Sequence, residues 1–167
     1  LPFPDFDDFP WDAYPRRVVP VMTGRGCWWS ACTFCADVVT VNGRTYRSRA
    51  PESVLDEIET QARRYDTKLF TFLDIKLNSN VELWRALARE LPRRVPGASW
   101  IATVHVAAEG DNGLSRDDLA AARAAGLVRV TFGMESASQH LLDAMDKGTT
   151  VEGNARFIED AHAAGLS

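Results

Sequence analysis

Short apolar runs alternate with helical patterns along most of this chain, and that alternation narrows the fold more than any other feature. "RVVPVMT" (17–23), "KLFTFLD" (68–74), "SWIATVHV" (99–106) and "VRVTFGME" (128–135) each read as a strand. In the last run Val128, Val130, Phe132 and Met134 alternate with Arg129, Thr131, Gly133 and Glu135, the period of two that a pleated strand imposes. Pro20 cannot donate to a ladder, which predicts an edge position or an irregularity for the first strand. Between these runs the spacing turns helical. Pro51 suits a first helical position, and Val54, Ile58, Ala62 and Tyr65 follow at helical intervals. Ser79 with Glu82 forms a capping-box pattern ahead of Trp84, Leu87, Ala88 and Leu91. Ser115 with Asp118 opens another helix that Gly126 closes, its Ala-rich stretch suiting close packing, and two more are expected near 137–147 and 151–164, stopped by Gly148 and Gly165. Strands that alternate with helices need crossovers and form a parallel sheet. The expected fold is therefore α/β. Parallel (β/α) repeats make an arc of a TIM-type barrel, truncated after about four units where a fifth strand falls due. A complete four-stranded open sheet is the alternative.

Residues 1–16, "LPFPDFDDFPWDAYPR", hold four prolines and four aspartates among several aromatics. No regular period survives that many prolines, which predicts an extended lead-in that lays its aromatics on a neighbouring surface. Residues 17–167 make up the barrel segment. A net charge of -4 argues against a nucleic-acid surface built on bulk charge. No apolar run is long enough for a membrane span, and the start carries no signal-peptide pattern. These features fit a cytoplasmic protein. The first residue is Leu, which suits a chain processed or cut from something longer.

All three cysteines fall in nine positions: Cys27, Cys32 and Cys35, in the loop after the first strand. An odd count argues against a disulfide scaffold. Three thiolates from one loop can hold three irons of a [4Fe-4S] cube and leave the fourth open to a small molecule. Zinc is the alternative, with His105 at the end of a strand as a fourth ligand. A redox pair of Cys32 and Cys35 is a third reading, although no uninterrupted helix follows it. The "VNGRTYRSR" stretch carries an Asn42-Gly43 turn signal.

The chain resembles the radical S-adenosylmethionine (radical SAM) enzymes, in particular the cobalamin-associated and ribosomal-peptide-maturation branches. The resemblance rests on "TGRGCWWSACTFC", "RSRAPESVLDEIETQARRY", "FTFLD" and "GLVRVTFGMESASQHLLDAMDKGTTVE", in that order. The loop departs from the common Cys-x3-Cys-x2-Cys spacing by one added residue. The resemblance implies a [4Fe-4S] cluster on Cys27, Cys32 and Cys35, with S-adenosylmethionine on its open iron. It implies reductive cleavage to a 5'-deoxyadenosyl radical that modifies a substrate, such as a peptide, or serves methyl transfer. An electron donor is implied as a partner, and cobalamin in a domain outside this chain for the methyl-transfer branch.

The same resemblance picks out further cofactor-binding candidates. Phe34 is the aromatic beside the last cysteine. Asp74 ends the second strand, where the family often carries a Gly-rich stretch ending in Glu; that pattern is absent here, and a helix cap is the alternative. His105 ends the third strand, as a cofactor contact or a structural histidine. Glu135 ends the fourth, facing the mouth of the barrel, where it bonds the cofactor's ammonium or ribose or else sits solvated near a helix start. Ser136 is a contact or an N-cap. Trp28 and Trp29 shield the centre or simply pack, and Lys76 reads as a solvated loop charge.

Overall fold

The computed structural model describes residues 2–106 and 113–167. Its strands are β1 (Val18–Val21), β2 (Gly24–Gly26), β3 (Tyr46–Ser48), β4 (Leu69–Phe72), β5 (Ser99–Val104) and β6 (Leu127–Phe132). Its α-helices are α1 (Pro51–Arg64), α2 (Val81–Arg94), α3 (Arg116–Ala124), α4 (Gln139–Ala144) and α5 (Val151–Ala163). β1, β4, β5 and β6 form one parallel sheet in that order, with α1, α2 and α3 in the successive crossovers. The strands follow one another across the sheet without the reversal that marks a doubly wound sheet. One face is packed. Val19, Val21, Phe70, Phe72, Trp100, Ala102 and Val104 meet Ile58, Trp84, Leu87, Leu119 and Phe157 of the helices. The alternate positions Val18, Thr71, Ile101 and Thr103 stay partly exposed. A parallel sheet wound in sequence with helices on one side is an arc of a β/α barrel, and the packing supports that reading over the two-sided open sheet.

The helix starts follow local chemistry. Pro51 occupies the first turn of α1. Ser115 and Asp118 make a reciprocal capping box on α3. At α2 the cap falls one residue later than the sequence predicts: Asn80 accepts from the Leu83 N–H at 3.1 Å, while Ser79 is buried in a 3-10 turn, Leu77–Ser79. Trp84 and Trp100 cross edge to face at 5.5 Å, and their indole N–H groups donate to Asp118 O and Ala125 O. Pro20 sits on the edge strand β1, as expected. The alternation expected through 128–134 breaks. Trp100 pairs with Leu127 and Ile101 with Arg129, so Val128 is the extra residue of a bulge, and the strand ends at Phe132. After α5, Ser167 exchanges backbone hydrogen bonds with Val128 and Val130 at the free edge of β6, where the sequence expects a further strand.

The lead-in lies on α1. Phe6 and Trp11 pack on Tyr65, Pro4 O accepts from Gln61 Nε2 at 2.7 Å, and Arg64 pairs with Asp5 and Asp7. Asn42-Gly43 forms a turn, as the sequence signals: Gly43 and Arg44 hold φ +63 and +54. Asn42 N–H donates to Asp37 O at 2.9 Å and closes the π-helical turn Asp37–Val41 just before it. The cysteine loop and this turn together lie between β2 and β3, which pair antiparallel apart from the main sheet.

Candidate metal centre

Three thiols lie on one irregular loop, between β2 and the π-helical turn. Cys27 and Cys32 are buried, Cys35 is half-buried, and all three are free. Cys27 N–H donates to Thr45 O on the strand side, and Cys35 O accepts from Val39 N–H on the turn side. The middle of the loop docks on the α4–α5 connection: Thr33 N–H donates to Met145 O at 3.0 Å and Trp29 Nε1 to Asp146 O at 2.7 Å. The Trp29 ring also stacks on His105 at 6.0 Å and 19°. Gly148 (φ +67) lies under that ring; a Cβ there would come within 2.2–2.6 Å of its carbons.

The strand ends supply the floor. Asp74 follows β4 and is held by Thr23, whose N–H and hydroxyl donate to its carboxylate at 3.0 and 2.8 Å. Burial raises its pKa, against the pull of the Thr23 donors. Asp74 therefore clamps the start of the cysteine ribbon to the sheet and does not cap a helix. It also borders a cleft of about 270 Å³ with Met22, Gly24 and Leu73. A larger apolar cleft of about 540 Å³, lined by Phe9, Tyr14, Val18 and Pro20 among others, lies at the edge strand and away from the cysteines.

His105 follows β5. Its backbone is fixed by a reciprocal pair with Asn78, at 2.8 and 3.0 Å, while its Nε2 is buried without a partner. Burial first, then the charges of Lys76 and Lys147, push its pKa down to about 3. The imidazole is neutral in the fold and titrates near 6.5 when unfolded. The folded pKa is the lower one, so the unfolded chain alone takes up a proton as pH falls from about 6.5 towards 3. Stability present above pH 6.5 is lost across that window, at up to about 1.4 kcal/mol per pH unit. In the metal-free protein, His105→Gln is expected to weaken the pH dependence of the urea midpoint between pH 7 and 5, so that the wild-type-minus-variant difference falls as pH drops. An unchanged pH slope would show that the site is not closed to protons.

Glu135 follows β6 in a left-handed conformation (φ +58), an uncommon one for a residue with a side chain. Its carboxylate pairs with Lys147 Nζ at 2.8 Å, and any Cβ on Gly133 would strike both groups. Lys147 also lies over the Phe34 ring at 5.6 Å, and that ring is 48% exposed. Ser136 is not the N-cap of α4; that position is Ser138, whose N–H donates to the Ser136 hydroxyl at 3.0 Å.

Lys76 overturns the expectation of a solvated charge. It is 3% exposed, and Nζ has no hydrogen-bond partner. It stands 5.3 Å over the Trp28 ring. Burial lowers its pKa to about 8, and the charges of Cys27 and Cys32 oppose that shift. Burial raises the Cys32 pKa, opposed by Lys147. The structure thus brings the cysteine loop, His105, Glu135 and Phe34 to one end of the sheet, with Lys76 and Lys147 between them. Sequence reasoning missed both lysines; the only signal was a lysine set between Ile75 and Leu77 just past a strand end. Among the described residues no three His, Cys, Asp or Glu side chains, the three cysteines included, converge on a single metal ion. The donor set suits a cluster, in which each thiolate takes its own iron, and both Lys76 and the His105 ring lie against that loop, on Trp28 and Trp29.

Residues 21–167 match the Radical SAM superfamily, and the chain belongs to it. It is 32% identical over 163 residues to the anaerobic magnesium-protoporphyrin IX monomethyl ester cyclase of Rubrivivax gelatinosus, covering 93% of this chain and 28% of that protein. It is 29% identical to an uncharacterized methyltransferase of Pyrococcus horikoshii, covering 99% of this chain and 35% of the relative. The fold matches the cobalamin-dependent S-adenosylmethionine radical enzyme OxsB (TM-score 0.73, 20% identity, 90% of this chain and 23% of that one). It also matches the radical S-adenosylmethionine methyltransferase TsrM of Kitasatospora setae (TM-score 0.69, 24% identity, 89% and 29%). The chain spans about a third or less of the length of these relatives. No helix among the described residues is long and apolar enough to cross a membrane.

Proposed function

We propose that Cys27, Cys32 and Cys35 hold a [4Fe-4S] cluster, that S-adenosylmethionine binds beside it, and that the chain is the radical-generating core of a methyl-transferring or related substrate-modifying enzyme. The observation that carries this is the free three-thiol loop, docked by Trp29 and Thr33 onto the end of a β/α arc. When bound, the cluster supplies one electron from an external donor. That electron would serve reductive cleavage of S-adenosylmethionine to methionine and a 5'-deoxyadenosyl radical. The protein's own residues bind, orient and exclude water. Trp28 and Trp29 wall the loop, Asp74 fixes its start, and Glu135, set by Lys147, presents a carboxylate to the cofactor's ammonium or ribose. Phe34, His105 and Ser136 complete that wall. Methyl transfer is favoured over peptide modification because the Pyrococcus relative is called a methyltransferase. Cobalamin in a further domain, an electron donor, and a cytoplasmic setting are part of the same reading.

The test is anaerobic reconstitution with iron and sulfide, followed by S-adenosylmethionine binding and release of 5'-deoxyadenosine under a one-electron reductant. Folded protein that takes up no cluster would sink the proposal. Glu135→Gln keeps size and removes charge. A charge-assisted hydrogen bond is worth roughly 1.5–3 kcal/mol, so affinity for S-adenosylmethionine is expected to fall by about one to two orders of magnitude with iron content unchanged. Unchanged affinity would return Glu135 to a purely structural pairing with Lys147.

A further inference from the structure

Among the described residues no hydrogen bond or ion pair balances the charge of Lys76. An ammonium withdrawn from water is costly unless an anion faces it. Lys76 Nζ is buried with no hydrogen-bond partner, and its nearest ring is Trp28. Among the described carboxylates at the strand ends, Asp74 accepts from Thr23 and Glu135 pairs with Lys147. Lys147 is a second cation on the same side, and His105 is neutral. Among the described residues, the groups of opposite charge that act on Lys76 are the thiols of Cys27 and Cys32.

We propose that Lys76 is a positioning charge for the metal centre, a fixed cation buried beside Cys27 and Cys32 that favours the reduced state of the cluster they carry. This rests on the cluster assignment above. Reduction adds one electron from an external one-electron donor to a centre whose thiolate ligands are already anionic, and no bond is made or broken. A nearby cation in a low-dielectric setting stabilises that added charge more than it stabilises the oxidised form. Trp28 and Trp29 keep water from screening it.

The test uses reconstituted wild type, Lys76→Met and Lys76→Arg, without S-adenosylmethionine. Iron and sulfide per chain and the midpoint potential are measured by titration with dithionite, followed by electron paramagnetic resonance. Lys76→Met keeps the apolar stem and removes the charge. Its reduced-to-oxidised ratio at a fixed donor potential is expected to fall about tenfold, which is a midpoint about 59 mV more negative. Lys76→Arg restores most of that difference. Loss of the cluster in Lys76→Met but not in Lys76→Arg would support the same role, because charge alone separates the two. An unchanged midpoint in Lys76→Met overturns the proposal. So does an equal loss in both variants, which marks a packing role, and so does weakened S-adenosylmethionine binding at an unchanged midpoint, which gives the charge to the co-substrate. If wild type itself takes up no iron, it is the cluster assignment that fails.

Discussion

Replacing any one of Cys27, Cys32 and Cys35 with Ala is expected to abolish iron retention, from about four irons per chain to near none, and with it cleavage of S-adenosylmethionine. A cluster with one iron already free of protein ligands has no thiolate to spare. The fold is expected to survive. Cys27 and Cys32 are buried but contribute only a small apolar side chain each, and Cys35 is half-buried, so the cost in stability is about 1 kcal/mol or less per site. The measurement is iron and sulfide per chain beside a denaturation midpoint for each variant. The three outcomes separate the three readings of the loop. Equal loss in all three variants supports the cluster. A single zinc per chain that also depends on His105 supports the zinc site. Activity that survives in Cys27→Ala and fails in the other two supports a dithiol.

Much of the scaffold was legible because local signals and tertiary demands agree in it. Pro51 and the Ser115–Asp118 box open helices where they should, and β4 and β5 fall within the apolar runs that name them. The failures have physical causes. Gly24-Arg25-Gly26 and Tyr46-Arg47-Ser48 are too short and too polar to show a period, so the ribbon that frames the cysteine loop exists only through its long-range pairing. The bulge at Val128 shifts register by one residue, which no count of alternating residues reveals. The site was half legible for a similar reason. Residues at strand ends, such as Asp74, His105 and Glu135, can be placed from topology alone. Their partners cannot. Thr23 reaches Asp74 across two adjacent strands, and Lys147 reaches Glu135 past the whole of α4. Lys76 looked solvated because a lysine in a loop usually is; in the fold it is buried, with the Trp28 ring of the cysteine loop over its ammonium.

The docking of that loop predicts that Gly148→Ala will loosen the metal centre without touching a ligand. Two costs add at this position. Gly148 holds φ +67, and a left-handed conformation costs an L-residue about 1–2 kcal/mol. The new methyl would also sit 2.2 Å from Trp29 Cζ2, and overpacking of this kind costs about 1–3 kcal/mol. The indole has no easy retreat, since its N–H is committed to Asp146 O and its face to His105. Relief must come from moving the loop between Cys27 and Cys32. The expected result is a loss of about 3 kcal/mol in stability together with a several-fold drop in iron retained after desalting. Trp29→Ala supplies the control. With the indole gone, Gly148→Ala should cost only its backbone strain, so the two substitutions should be non-additive by more than about 1 kcal/mol in a double-mutant cycle. Strict additivity would mean that Trp29 and Gly148 do not meet in solution. A Gly148→Ala protein with wild-type iron content would mean that the cysteine loop does not depend on this contact for its shape.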